Sequence, residues 1–205
     1  MIEVELKFQV LDEEEVKIFL KDLEYVSEKR IVDVYLDTVE GDLFKKGIFI
    51  RVRDGKKLDF KYNLEDDDRH EHCDEHSFVL PLGNISGVNS NCKILGLKEI
   101  EKNFEEFKEK NNLINSMTVD KVRKKFKDEE FEYCLDKVEG MGLFLEIEAE
   151  GKEGEDLEAI KAKMREKLKG LDLKKITTGY NEIYWRKHNF ELYMQGKYLL
   201  EEDKV

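Results

Sequence analysis

The sequence predicts an α+β protein built around an antiparallel sheet. Charged and apolar residues alternate along several short segments, which is typical of strands with one buried and one polar face. Asp54-Gly55 separates two such segments and is a strong hairpin signal. Segments with helical periodicity stand between strands that are mostly arranged in hairpins, and this order favours the α+β class. The length suits one sizeable domain or at most two small ones, and we expect a single domain covering residues 1–205.

Each element follows from its local pattern. In the first helix Val16, Phe19, Leu20 and Leu23 recur at helical spacing, and Asp12 is its expected N-cap. The predicted strands cover residues 3–8, 31–38, 48–53, 57–62, 75–80, 118–127, 130–140 and 142–150. The predicted helices cover residues 11–25, 98–113 and 155–171, with another inside 180–195. Residues 83–97 are expected to form a loop.

Composition limits the classes of partner. The chain has 205 residues, of which 41% are charged and 40% hydrophobic, and a formal net charge of −12. This charge argues against nucleic-acid and anionic-membrane partners. We see no signal peptide and no apolar stretch of membrane-spanning length, and the three cysteines form no metal-ligand spacing, which fits a reduced cytoplasm. The sequence leaves a homodimer open.

Like charges are paired along several strand faces. Glu3/Glu5 and Glu146/Glu148 are adjacent acids on one face, and Arg51/Arg53 are adjacent bases. The ordinary interpretation is a solvent-facing sheet surface. Same-face neighbours lie about 7 Å apart, so like charges repel, and more strongly in a confined site. Carboxylates bind Mg²⁺ or Mn²⁺, and Arg and Lys bind phosphate oxygens. The segregated pairs therefore predict a metal-triphosphate site inside a closed sheet with helices outside.

The order of these segments resembles a known family. Glu3-Val-Glu5-Leu-Lys7 is similar to its N-terminal Glu-x-Glu-x-Lys signature. The segments that resemble its later elements are YLDT, GIFIRVRDGKKLDFKYN, VDKVRKKF, LDKVEGMGLFLEIE and GYNEIYW. The chain thus resembles the CYTH superfamily, the triphosphate tunnel metalloenzymes, over about residues 1–190.

The resemblance implies an eight-stranded antiparallel β-barrel, or tunnel, with helices packed outside. The acids that would face Mg²⁺ or Mn²⁺ are Glu3, Glu5, Asp136, Glu146 and Glu148. The bases that would bind the triphosphate are Arg51, Arg53, Lys61, Lys121 and Arg123. Lys7 would sit among the phosphates or help to deprotonate the nucleophile, with Glu5 as the second catalytic residue. Glu75 matches a further acid of the family, with Glu71 as its competitor, and Tyr180 replaces a lysine of some thiamine triphosphatases.

Three functions remain open at this stage. The first is hydrolysis of the terminal phosphate of inorganic triphosphate, ATP or another organic triphosphate. The second is an adenylate cyclase that releases cyclic AMP and pyrophosphate, which Tyr180 favours. The third is a non-enzymatic polyphosphate or nucleotide binder, which would not need all the acid pairs. We rank the hydrolase narrowly first, because the sequence has residues to grip phosphates and no readable adenine motif.

One polar segment stands outside this scheme. His70, His72, Cys73 and His76 cluster within RHEHCDEH. A zinc site is one interpretation and a solvated loop is the other. The spacing lacks the second ligand pair of usual zinc patterns, so the sequence favours the loop.

Overall fold

The computed structural model describes residues 2–63, 73–151 and 155–204, except for the side chains of residues 2 and 3. The chain divides into two compact units. Unit 1 comprises Met1–Arg30 and Asp120–Thr177, and unit 2 comprises Ile31–Val119 and Thr178–Val205. We describe each unit by itself, and the single domain expected from the sequence stays a prediction.

Strands dominate the described residues. The strands are β1 (Ile2–Val10), β2 (Glu24–Asp37), β3 (Ile48–Arg53), β4 (Lys57–Tyr62), β5 (Asp74–Val79), β6 (Ile114–Lys127), β7 (Glu132–Val138), β8 (Gly142–Gly151) and β9 (Leu173–Ile176). The helices are α1 (Glu13–Leu20), α2 (Asp42–Lys45), α3 (Ile85–Leu95), α4 (Phe104–Lys110), α5 (Leu157–Lys167), α6 (Tyr180–His188) and α7 (Phe190–Tyr193). In this part of the chain, no helix combines the length and low polarity needed to span a membrane.

Unit 1 places a charged face opposite an apolar one. Residues 120–127 of β6, then β7, β8, β1 and β9, follow one another in the sheet, with antiparallel registers throughout. The apolar side chains of these strands and of α1 and α5 form one core, whose buried members include Val4, Leu6, Val16, Leu20, Tyr133, Leu145, Ile147 and Met164. Because side chains alternate, the charged residues of β1 and β8 lie on the other face.

The strands of unit 2 also have one charged and one apolar face. β5, β4, β3 and residues 31–37 of β2 are neighbours in antiparallel registers. Their apolar face packs with α3 and α4 in a core that includes Leu36, Ile50, Leu58, Phe60, Val88, Cys92 and Phe107. Asp54 and Gly55 join β3 to β4 with positive φ angles of 53° and 66°, as the hairpin signal predicts. The polar residues of β2, β3 and β4 therefore share the opposite face.

The predicted class and most elements are confirmed. α1 begins after Asp12, whose carboxylate accepts hydrogen bonds from the backbone of Glu14 and Glu15 at 2.9 and 3.1 Å. Two helix predictions need correction. The expected loop at 83–97 contains α3, because Val88 and Cys92 pack into the core and Asn84 caps its start. The expected helix at 98–113 shortens to Phe104–Lys110, where Asn103 caps it.

The predicted eight-stranded closed barrel is also corrected. In the described residues nine strands follow the order β5-β4-β3-β2-β6-β7-β8-β1-β9. β5 and β9 each have one strand neighbour in this order, so the hydrogen-bonded ladder is open. The additional strand is the four-residue β9, which pairs with the Lys7–Val10 end of β1. β9 therefore occupies part of the edge of β1 that faces away from β8.

Candidate functional site

Three carboxylates converge on the charged face of unit 1. Glu5 of β1 and Glu146 and Glu148 of β8 each offer an oxygen atom within 4.8 Å of the others. The register explains the convergence, because Glu5 lies directly opposite Glu148 and Glu146 is two residues away on the same face. Carboxylate oxygens are the ligands that Mg²⁺ and Mn²⁺ prefer, so this donor set fits such an ion.

Cations surround the most buried member of this acid trio. The Nζ atom of Lys7 lies 3.0 Å from Oε1 of Glu146 and 3.9 Å from Oε1 of Glu5. Arg123 contacts Glu146 through Nη2, and its Nη1 lies 3.6 Å from Oε1 of Glu148. The Glu146 carboxylate is therefore ion-paired as the structure stands.

The pKa values of this face follow from those pairs. Burial favours a higher pKa for Glu146, but Lys7 and Arg123 outweigh it and hold the pKa below its usual value. Burial favours a lower pKa for Lys7, but the carboxylates of Glu146 and Glu5 outweigh it and raise the pKa. Lys7 is thus an ammonium at neutral pH, which suits charge stabilisation better than proton abstraction.

Asp136 of β7 lies between two of the predicted phosphate-binding bases. It is fully buried, with 0% exposure. Its carboxylate accepts hydrogen bonds from Lys121 Nζ at 2.5 Å and from Arg123 Nε and Nη2 at 2.6 and 2.7 Å. The oxygen atoms of Asp136 are not among those of the trio. This geometry fixes the heads of Lys121 and Arg123, and a metal-ligand role for Asp136 stays a prediction.

Unit 2 presents an arginine pair on its own charged face. Arg51 Nε lies 3.1 Å from Asp59, and its Nη2 lies 3.1 Å from Glu75. Arg53 Nε and Nη2 donate to Asp33 at 2.8 and 3.0 Å. Each arginine of this face is therefore paired with an aspartate, whereas the sequence pattern predicted segregated pairs of like charge. The register places Arg53 opposite Asp33 and Arg51 opposite Asp59.

The other predicted residues have these positions. In unit 2, Lys61 of β4 lies opposite Glu75 of β5, and Tyr180 begins α6 in a buried position. In unit 1, Glu3 pairs with Glu150 through the strand register, and its side chain lies outside the description. Glu71 also lies outside the described residues. All these site assignments stay predictions.

Sequence reasoning missed Asp33 and Asp59 as site residues. Both are buried, with 3% and 2% exposure, and both contact arginine. A signal was present for Asp59, which alternates with Lys57 and Lys61 on the charged face of its strand. Asp33 lies between Ile31 and Tyr35 on its face of β2, so the sequence offered no such signal there. An acid between bases on a strand face indicates an internal ion pair.

The His/Cys segment gives no support to zinc in the part that is described. His70 and His72 lie outside the described residues. The ring of His76 stacks on Tyr62 with centroids 5.7 Å apart, and Cys73 Sγ lies 3.6 Å from the Tyr198 hydroxyl. These two side chains thus have protein contacts, and the zinc interpretation stays untested.

The chain is similar to a known protein family and to a protein from an archaeon. The profile of the CYTH domain matches residues 1–180. A Methanocaldococcus jannaschii protein provisionally named an adenylate cyclase is 28% identical over 178 residues, which cover 85% of this chain and 92% of the relative.

Solved structures show the same fold. The PH1012 protein of Pyrococcus horikoshii has a TM-score of 0.58 at 24% identity, covering 89% of this chain and 99% of that one. A provisionally named adenylyl cyclase from Hippeastrum, described as having a dominant triphosphatase activity, has a TM-score of 0.59 at 18% identity and covers 100% of both chains. With the family profile matching most of its length, the chain belongs to the CYTH domain family.

Proposed function

We propose that this protein is a divalent-metal-dependent enzyme that acts on triphosphates. The observation that carries the proposal is the trio of Glu5, Glu146 and Glu148, whose oxygens lie within 4.8 Å beside Lys7 and Arg123. Carboxylates that hold a hard cation next to fixed cationic heads form a suitable environment for a metal-bound polyphosphate. A bound Mg²⁺ or Mn²⁺ would supply neutralisation of phosphate charge.

The chain's own residues would divide the work. In unit 1 the trio would hold the metal, with Glu3 as a further ligand, while Lys7, Lys121 and Arg123 would bind phosphate oxygens. Asp136 and Glu146 orient these cationic heads before substrate arrives. Fixed charges of this kind stabilise a transition state without reorganisation, which is the main source of catalysis in phosphoryl transfer. For unit 2, considered by itself, we propose that the bases Arg51, Arg53 and Lys61 bind phosphate oxygens.

Hydrolysis of the terminal phosphate is our first choice of reaction. Water would attack the terminal phosphorus, the bond from that phosphorus to the bridging oxygen would break, and pyrophosphate would leave inorganic triphosphate while the cationic heads stabilise the phosphate oxygens. The described triphosphatase activity of the Hippeastrum protein supports this choice. The residues we assign would hold the metal, orient the cationic heads or bind phosphates, and none of them would read a nucleobase, so inorganic triphosphate would be a sufficient substrate.

Adenylate cyclase activity is the alternative. The name of the Methanocaldococcus jannaschii relative favours it, as does Tyr180 at the start of α6. In that reaction the ribose 3′-hydroxyl attacks the α-phosphorus and pyrophosphate leaves. A non-enzymatic polyphosphate binder ranks last, because such a protein would not need the convergent carboxylates of Glu5, Glu146 and Glu148.

A product assay tests this ranking. Purified protein is incubated with inorganic triphosphate, ATP or thiamine triphosphate in Mg²⁺ or Mn²⁺, and the products are separated by chromatography. We expect orthophosphate release from inorganic triphosphate. Cyclic AMP and pyrophosphate from ATP, with inorganic triphosphate intact, would establish the cyclase instead. Binding of these compounds without any product would establish the binder.

A further inference from the structure

Two buried aspartates hold the arginine pair of unit 2. Asp33 accepts two hydrogen bonds from one edge of Arg53, through Nε at 2.8 Å and Nη2 at 3.0 Å. Its Oδ2 atom also lies 3.6 Å from Nη1 of Arg51. Asp59 accepts from Nε of Arg51 at 3.1 Å and is itself held by the Ser77 hydroxyl at 2.7 Å.

Burial distinguishes these acids from the third carboxylate nearby. Asp33 and Asp59 are 3% and 2% exposed, whereas the side chain of Glu75 is 42% exposed on β5. A buried carboxylate without its partner is costly, so Asp33 and Asp59 are fixed where they lie. Glu75 has solvent as an alternative partner. We therefore expect the contacts with Asp33 and Asp59 to hold the two arginines in place, more than the contact with Glu75 does.

The pairing leaves a defined part of Arg53 for another ligand. Asp33 binds the edge formed by Nε and Nη2, so Nη1 points to the other edge of the planar fork. About 31% of the Arg53 side chain is exposed. A guanidinium anchored on one edge presents the other in a fixed orientation, and this geometry suits bidentate binding of a phosphate.

We propose that Asp33 is a positioning residue that acts through Arg53, orienting its guanidinium towards a phosphate group of the substrate. Asp59 has the corresponding role for Arg51. This inference rests on the proposed triphosphate function, and it adds two residues that neither the motif nor the charge pattern identified. Asp33 touches no substrate in this scheme, because its carboxylate would repel a phosphate.

The charge of Asp33 and its hydrogen bonds to Arg53 should have opposite effects on anion binding, which makes the proposal testable. Its negative charge repels an anionic ligand, so a neutral residue would strengthen binding if charge alone mattered. Its hydrogen bonds orient Arg53, so a neutral residue would weaken binding if orientation dominates. The substitution Asp33→Asn separates these cases, because it removes the charge and keeps the shape.

The experiment measures binding of imidotriphosphate, a non-hydrolysable triphosphate analogue, by calorimetry in Mg²⁺. The proteins compared are the wild type, Asp33→Asn, Arg53→Ala and the double variant. Asp120→Asn in unit 1 is the matched control, because Asp120 accepts a similar pair of hydrogen bonds from Nε and Nη2 of Arg30. Thermal unfolding of each variant confirms that it is folded.

We expect Asp33→Asn to weaken binding about tenfold or more, as for the loss of a hydrogen bond to a charged group. In the Arg53→Ala background the same substitution should change binding less than about twofold, because coupled residues are not additive. Asp120→Asn should bind like the wild type. Equal or tighter binding by Asp33→Asn, or an undiminished effect without Arg53, would overturn the positioning role.

The proposed function can fail separately. If Arg53→Ala binds imidotriphosphate as well as the wild type does, Arg53 is not a phosphate contact and the positioning role is wrong, whereas the proposed function, which rests on Glu5, Glu146 and Glu148, is decided by the product assay. If Arg53→Ala binds weakly and Asp33→Asn does not, only the positioning role is wrong. Where Asp33→Asn does not fold, Asp33→Glu keeps the charge and displaces the carboxylate by one methylene. We then expect weaker binding, and unchanged binding would overturn the role.

Discussion

The Nζ atom of Lys7 lies 3.0 Å from Oε1 of Glu146, and the β1–β8 register places these two residues directly opposite each other. Their side chains are only 11% and 5% exposed. The ammonium group of Lys7 is therefore ion-paired with Glu146, a carboxylate that we also propose as a metal ligand. A cation that binds Glu146 has to compete with Lys7, and this competition gives a testable consequence.

Replacing Lys7 with Met should tighten Mn²⁺ binding and lower turnover of triphosphate. The substitution removes the competing charge, while Arg123 still pairs with Glu146 and preserves the fold. Calorimetry without substrate measures Mn²⁺ affinity, and orthophosphate release measures turnover. Lys17→Met is the control, since Lys17 pairs with Glu13 and Glu14 on the solvent-exposed face of α1. Weaker Mn²⁺ binding in Lys7→Met would contradict the competition.

Replacing Glu148 with Gln should abolish metal-dependent turnover and leave the fold intact. The amide keeps the shape of the side chain but removes one charge from the trio, so it binds a divalent cation more weakly. Glu132→Gln is the matched control, because Glu132 lies opposite Glu148 on β7 and is exposed. Orthophosphate release is measured across a Mn²⁺ titration. Full activity of Glu148→Gln, or of the wild type in excess EDTA, would exclude a metal role for the trio.

The sequence predicted those elements whose patterns were strict. β1, the β3–β4 hairpin and β8 alternate regularly, and the packing of each buries the apolar side of that alternation. α3 was missed because its sequence, rich in Ser, Asn and Gly, has low helix propensity. Tertiary packing of Val88 and Cys92 decides its conformation, and such packing is not visible in a local pattern.

The candidate site could be predicted only in part, because it too depends on contacts between segments that are distant in the sequence. Alternation places Glu5, Glu146 and Glu148 on charged faces, but their convergence depends on the register between β1 and β8. No local signal fixes that register. Similarly, the short strand β9 has four residues, too few for a period to emerge, so neither the strand nor its pairing with β1 was predicted.

Replacing Arg123 with Ala should reduce the free energy of unfolding by about 3–5 kcal/mol, because it leaves the carboxylate of Asp136 buried with one fewer partner. Urea denaturation measures the change. Lys127→Ala is the control, since Lys127 forms an exposed ion pair with Glu24 that should contribute less than about 1 kcal/mol. Equal losses in the two variants would show that Asp136 does not depend on its arginine.

Asp128, at the turn between β6 and β7, is a second carboxylate on which stability depends. It accepts hydrogen bonds from Lys167 Nζ at 2.9 Å, from the Tyr133 hydroxyl at 3.0 Å and from the backbone N–H groups of Glu130 and Phe131 at 2.8 Å. Partial burial favours a higher pKa, but the hydrogen bond from Lys167 and the other donors outweigh it and lower the pKa to about 2. The ionised form is therefore the one that the fold stabilises.

Acid should remove this contribution of Asp128 in a defined pH range. A folded-state pKa of about 2 lies below the unfolded value of about 3.9, so the stabilisation is complete above about pH 4 and disappears as the pH falls towards 2. Asp128→Asn should reduce the free energy of unfolding by about 1–2 kcal/mol at pH 6, because solvent screens part of the interaction of this partly exposed group. Urea denaturation from pH 6 to pH 3 measures the free energy of unfolding of wild type and Asp128→Asn, and the difference between them should narrow below pH 4. The control is Asp22→Asn, because Asp22 is exposed, and its free energy of unfolding should stay close to that of the wild type. A difference for Asp128→Asn that stays constant over this range would mean that its hydrogen bonds stabilise the fold without depending on its charge.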